Sequence, residues 1–236
     1  MGPLELGKRP ALAAVVTRED DLLGLEETVL RDIDVFEIRA DMFPRPTIAA
    51  IRPVLGTARE TGKAILLTIR SPIEGGRAVL SDAQRSALFR ELSGSYDALD
   101  VEVGSEALWP ALSELCRREN KLLIGSFHDF SSTPDEETMD GMMRKAFHRG
   151  ADVFKLACMS KVRMDVVRLL EFTSRNAERG IVTLSMGPWG TMTRFVAPAF
   201  GSLLTYGFLS EASAPGQLSV PELAVRLREF LPSRLG

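Results

Sequence analysis

The stretch "ADVFKLACM" (Ala151–Met159) is a short, mostly apolar run with one lysine, Lys155, inside it. It lies between two longer segments of helical character. "TPDEETMDGMMRKAFHRG" (133–150) opens on Thr-Pro and acidic residues, which suit a helix N-terminus, and ends on Gly150. "KVRMDVVRLLEFTSRNAERG" (161–180) ends on Gly180, in the way a glycine stops a helix. The next run, "GIVTLS" (180–185), has the same character as the first. Strand, crossover helix and strand in this order make one parallel unit, and its recurrence decides the fold.

Outward from this unit the pattern repeats. Apolar runs stand at 11–16 (ALAAVV), 34–39 (DVFEIR), 64–69 (AILLTI), 98–103 (ALDVEV), 121–126 (KLLIGS), 151–156, 180–185 and 202–207 (SLLTYG). Their shortness and their Val, Ile and Leu content suit parallel strands buried on both faces. "DAQRSALFRELSGS" (82–95) has apolar residues at helical spacing, with Ser81 or Asp82 as cap. "SVPELAVRLREFL" (219–231) reads as a last helix capped by Ser219, with Pro221 in its first turn. No repeat, low-complexity tract or linker divides the chain. Eight such units in 236 residues predict one domain, residues 1–236, folded as an α/β (β/α)8 TIM barrel. The alternative, a doubly wound sheet, more often has a glycine-rich turn after its first strand, and "VVTREDDLLG" has none.

Composition narrows the function. The net charge is −3, without a basic run or an acidic tail, which argues against a nucleic-acid partner. No apolar run approaches the roughly 18 to 20 residues of a membrane span, so no membrane is expected. The N-terminus has no clear signal-peptide pattern. Cys116 and Cys158 form no CxxC, and a reducing cytoplasm is the simplest setting. The only histidines, His128 and His148, lack metal-ligand spacing, so no metal is expected.

In a barrel the active site lies at the C-terminal ends of the strands. There the chain carries Glu37, Arg39 and Asp41, then Arg70 and Glu74, Asp100 and Glu102, His128, Lys155, Arg194, and Ser213 and Gln217. Each alone is weak, since charges at strand ends often bridge neighbours or solvate a rim. Together, at two-residue steps, they would point several charges into one mouth, where unpaired charge is costly. Lys155 has two readings. It is either an edge-strand lysine reaching solvent, or a buried amine held partly neutral so that it attacks a carbonyl. With a histidine on the adjacent strand and several arginines, the second describes imine chemistry on an anionic, hydroxylated substrate.

The pieces "EIRADMF", "TIRSPIEGG", "LDVEV", "SFHDF", "GADVFKLACM", "SMGPWGTMTR", "FGSLLTYG" and "SAPGQLSV" closely resemble type I 3-dehydroquinate dehydratases. They occur in that family's order from the second strand almost to the last helix. The resemblance implies dehydration of 3-dehydroquinate to 3-dehydroshikimate in the shikimate pathway, with no metal and no organic cofactor. It implies an imine-forming lysine at Lys155, a general acid/base at His128, and Glu74 orienting that histidine and raising its pKa. Substrate-holding roles fall on Glu37, Arg39, Arg70, Arg194, Ser213 and Gln217, with Arg194 on the substrate carboxylate. Dimers are common in that family, so a homodimer is compatible with the resemblance. Two departures are Thr193, where a serine commonly precedes the arginine, and a first strand without the serine some members carry. Gly75 and Gly76 read as a flexible loop closing over substrate. Asp100 and Glu102 read as interior partners for arginines, and Cys158 as core. The competing readings are another class I Schiff-base aldolase or lyase and a non-catalytic ligand-binding barrel.

Overall fold

Side chains along a strand alternate between its two faces, and in this chain both faces are buried but filled differently. A computed structural model describes Gly2 and residues 4–231; residues 1, 3 and 232–236 of the predicted domain lie outside the described residues. The strands are β1 (Ala11–Val16), β2 (Val35–Arg39), β3 (Ala64–Thr68), β4 (Ala98–Glu102), β5 (Leu122–Asp129), β6 (Val153–Met159), β7 (Ile181–Met186) and β8 (Leu204–Phe208). The intervening helices are α1 (Glu27–Asp32), α2 (Ile48–Glu60), α3 (Asp82–Glu91), α4 (Trp109–Glu119), α5 (Glu136–His148), α6 (Arg163–Arg175), α7 (Thr193–Val196) and α8 (Val220–Phe230).

All strand pairings are parallel, in the order β7-β6-β5-β4-β3-β2-β1-β8. Among the described residues β7 and β8 share no ladder. They meet at their lower ends, where the Leu203 N–H donates to the Ile181 carbonyl at 2.9 Å and the Thr183 N–H to Ser202 Oγ at 3.0 Å. The result is a nearly closed single-domain (β/α)8 barrel, as the strand–helix count predicts, and not an open doubly wound sheet.

One set of strand residues, including Leu12, Phe36, Ile38, Ile65, Leu67, Phe154 and Leu156, packs outward against the helices. The alternate set, including Ala13, Val15, Val35, Ala64, Leu66, Ile124, Val153 and Val182, fills the barrel interior. Two residues further up several of these strands the interior positions turn polar: Glu37, Thr68, Asp100, Ser126 and Lys155, all buried. The barrel is thus apolar at its base and charged at its mouth.

Helix boundaries follow local capping. Ser81 caps α3 reciprocally with Gln84, and Ser219 caps α8 with Glu222. α5 starts later than its Thr-Pro opening implies. Asp135 accepts the Thr138 N–H at 2.9 Å as the cap, while the Thr133 hydroxyl donates to the Met159 carbonyl. β5 and β6 run three residues beyond the stretches 121–126 and 151–156; in β5 the added residues carry His128 into the polar mouth, and in β6 residues 157–159 are themselves apolar. Cys116 and Cys158 are free and buried. Cys158 packs in the outer core, and burial pushes its thiol up to about 12, as suits an inert core residue. Among the described residues no helix is long and apolar enough to cross a membrane.

Candidate active site

Lys155 points from β6 into the barrel mouth and is 4% exposed. β6 lies between β5 and β7, so this is no edge strand, and the side chain does not reach solvent. Its Nζ lies 3.1 Å from Asp100 Oδ2 and 3.3 Å from Glu37 Oε1, and 4.3 Å from the centre of the Tyr206 ring. Burial alone would lower its pKa, but Glu37, Tyr206 and Asp100 outweigh burial and hold the ammonium above the usual lysine range. The expectation of a partly neutral lysine is therefore corrected: in the free site it is a paired cation. The carboxylates are themselves fixed. Thr68 Oγ1 donates to Glu37 Oε1 at 2.9 Å, and Ser126 Oγ donates to Asp100 Oδ1 at 2.5 Å. Burial opposes the Asp100 charge, but Arg70 and Lys155 keep it well below the usual carboxylate range.

His128 stands at the upper end of β5, and Glu74 faces it from a single 3-10 turn, Pro72–Glu74, after β3. Glu74 Oε2 lies 2.9 Å from His128 Nδ1 and accepts the His128 backbone N–H at 2.9 Å. That double bond fixes both the ring and the strand end. Burial raises the Glu74 carboxyl to about 8, against the opposing pull of Arg70. Burial, with the cations Arg70 and Lys155, holds His128 well below its ordinary value. Glu74 orients the ring as expected. The expected rise in histidine pKa is reversed, because burial and two nearby cations outweigh one carboxylate.

The glycines after Glu74 form a hydrogen-bonded turn at the mouth. Gly75 has φ +85° and lies against the Phe130 ring. The Gly76 N–H donates to the Ser71 carbonyl at 2.9 Å, and a Cβ on Gly76 would stand 2.0 Å from the Arg70 carbonyl oxygen.

Three arginines reach the same pocket. Arg39 forks onto Asp41, with both bonds at 2.9 Å. Arg70 bridges Asp100 at 2.9 Å and Glu102 at 3.1 Å, and donates to Ser126 Oγ. Glu102 is held in turn by Arg85 of α3, so Asp100 and Glu102 are the interior partners of arginines that the strand pattern implies. Arg194, in α7, is different. It is 2% exposed and donates only to carbonyls, those of Gly216 at 2.9 Å, Pro215 at 3.4 Å and Tyr206 at 3.5 Å. Among the described residues no carboxylate neutralises it, and burial lowers it to about 10, still cationic at neutral pH. It is a buried positive charge open to an anion. Above it, Gln217 Oε1 accepts from the Ser213 N–H and hydroxyl at 2.8 and 3.0 Å, bracing the segment after β8. Thr193 uses its hydroxyl structurally, accepting from the Ser185 N–H and donating to the Gly190 carbonyl.

The residues given catalytic or substrate-holding roles, Glu37, Arg39, Arg70, Glu74, His128, Lys155, Arg194, Ser213 and Gln217, line this one pocket, while Asp41, Asp100 and Glu102 lie behind it as partners of its cations. Val15, Phe130, Ala157, Leu184, Met186 and Tyr206 line it too and were not singled out. Alternation on β7 and β8, two residues above Leu184 and Leu204, would have found Met186 and Tyr206. Among the described residues, no group of three or more His, Cys, Asp or Glu side chains is arranged to hold a metal.

A model of the type I 3-dehydroquinase family matches residues 13–230. The chain belongs to the type I 3-dehydroquinase family. It is thus an enzyme of the hydro-lyase class, and its activity is 3-dehydroquinate dehydration. A 3-dehydroquinate dehydratase of Methanocella arvoryzae is 36% identical over 219 residues, covering 93% of this chain and 96% of the relative. One from Salmonella paratyphi B is 38% identical over 203 residues, covering 81% and 80%. Among solved structures, the type I enzyme of Clostridium difficile, described with covalently modified comenic acid, superposes with a TM-score of 0.86 at 29% identity, covering 98% of this chain and 96% of that one. The Geobacillus kaustophilus 3-dehydroquinate dehydratase superposes with a TM-score of 0.85 at 30% identity, covering 95% and 92%. Members of this type I family thus match the chain in both sequence and backbone.

Proposed function

We propose that dehydration of 3-dehydroquinate proceeds through an imine on Lys155, with His128 moving every proton. The observation that carries this reading is one pocket holding a buried amine, a carboxyl-oriented imidazole and a guanidinium without a carboxylate. Arg194 takes the substrate carboxylate, and the Ser213–Gln217 segment closes beside it. Glu37, Arg39 and Arg70 face the ring hydroxyls.

The Lys155 ammonium first gives a proton to His128 on the neighbouring strand. The free amine attacks the C3 ketone; the oxygen of the adduct takes the proton His128 holds and a second that His128 relays from the adduct nitrogen, and leaves as water. The iminium withdraws electrons from C2, and His128 removes a C2 proton to leave an enamine. The enamine expels the C1 hydroxyl, which His128 protonates to water, and the C1–C2 double bond forms. Hydrolysis of the iminium returns Lys155 and releases 3-dehydroshikimate. Glu37 and Asp100 keep positive charge favourable at Nζ throughout, so the iminium inherits the site built for the ammonium. The same reading has the enzyme working in the cytoplasm, as a homodimer, on a small anion and without nucleic acid.

Borohydride added during turnover is expected to fix the substrate skeleton on Lys155, seen as a mass shift on the peptide containing that residue. Lys155→Ala is expected to bind substrate without turnover. A label on another residue, or a Lys155→Ala variant with full activity, counts against the imine.

A further inference from the structure

Within the pocket one polar group has no task in this scheme. Tyr206 projects from β8 into the barrel interior and is 3% exposed. Its hydroxyl makes no hydrogen bond of regular geometry among the described residues; its polar neighbour is the Lys155 ammonium, which only donates, so the phenol proton has no acceptor. The carboxylates of the same pocket are bonded to other groups: Glu37 Oε1 to Thr68 and Lys155, and Asp100 to Ser126, Arg70 and Lys155. A buried hydroxyl left unbonded costs stability that a phenyl ring at the same place would not. The ring has its own role as a face beneath the Lys155 ammonium, 4.3 Å from ring centre to Nζ, and a phenylalanine would supply that face equally. The hydroxyl therefore needs another explanation.

Its place narrows the answer. The ring packs against Nζ, so the hydroxyl lies near whatever carbon becomes bonded to that nitrogen. The backbone carbonyl of the same residue accepts from Arg194, which ties Tyr206 to the point where the substrate carboxylate docks. Burial holds the phenol above its usual range, so it stays protonated and serves as a donor. We propose that the Tyr206 hydroxyl is a further catalytic group, donating a hydrogen bond to the substrate oxygen on the carbon that Lys155 attacks. This rests on the imine reading. As Nζ bonds to that carbon, the C–O π pair moves onto oxygen, and the Tyr206 O–H stabilises the charge that develops there. Tyr206 keeps its proton throughout. His128 supplies the first of the two protons with which the oxygen leaves as water and relays the second from the adduct nitrogen.

The test is Tyr206→Phe, which keeps the ring and its contact with Nζ and removes one atom. Imine formation is followed in single turnover by quenching with borohydride at timed intervals and weighing the Lys155 peptide. The variant is expected to melt at the wild-type temperature or above it, because an unbonded buried polar atom is gone. Its imine is expected to form roughly 100- to 1000-fold more slowly, as when an oxyanion donor is lost. A wild-type rate of trapping in the variant overturns the proposal, whatever happens to KM or melting temperature. Absence of any trapped adduct in the wild type overturns the imine reading itself, so the two failures are distinguishable.

Discussion

At residue scale, the Glu74–His128 pair sets the pH response. The Glu74 carboxyl is raised to about 8 by burial, and His128 is lowered by burial and by Arg70 and Lys155. As pH falls through about 8 the pair gains a proton, and the imidazole loses the free lone pair that takes the C2 proton. The acidic limb of kcat/KM is expected in that region. Glu74→Gln removes the titrating carboxyl and its charge, leaving a histidine that protonates only below its ordinary value. The limb is expected to move to lower pH, with kcat reduced on the order of 10- to 100-fold, as for other groups that orient a functional side chain. A pH–rate profile with an unmoved limb would refute the pairing. Arg194→Ala is expected to raise KM far more than it lowers kcat, since losing a buried charge-assisted pair costs roughly 2 to 5 kcal/mol; steady-state kinetics decides. Residue types at the strand ends were legible in the sequence, and their partners were not. Lys155 meets a carboxylate 118 positions away, and it was that contact, invisible in a local pattern, that made it an ammonium and not a neutral amine.

At element scale, the turn from Ser71 to Gly76 shows how a few backbone bonds aim one carboxylate. Gly76→Ala would drive a methyl into the Arg70 carbonyl, so the turn must open and carry Glu74 away from His128. Since a misplacement of about 1 Å costs on the order of 10²-fold, kcat should fall at least about tenfold while circular dichroism and melting temperature stay close to wild type. Retained kcat would show that the turn has room to spare. The sequence showed the two glycines without showing that the second marks a close approach of backbone to backbone. Strand positions were legible through apolar runs, but β5 read three residues short because its upper end, with His128, turns polar, and β6 read three short although residues 157–159 are apolar. The start of α5 was misread because Asp135, and not the Thr-Pro pair before it, bonds the first free N–H groups.

At the scale of the whole molecule, the order and number of strand–helix units were enough to name the barrel, because parallel strands joined by helices have few ways to close. The layering of an apolar base beneath a charged mouth followed from alternation alone. Arg85 did not: a buried arginine on a helix is unexpected until Glu102, from β4, is seen to meet it. Closure between β7 and β8 was equally invisible, and it has a consequence for breathing. Among the described residues two hydrogen bonds link β7 to the residues just before β8 near the base, and towards the mouth the union falls to Arg194, whose guanidinium and carbonyl reach Tyr206 and Thr205. The barrel therefore has a seam, and the residue that clasps it is the one awaiting an anion. Amide hydrogen exchange is expected to run fastest along β7 and β8 and slowest in the β5–β6 ladder. A bound carboxylate should slow the seam selectively, so that docking of substrate completes the hoop.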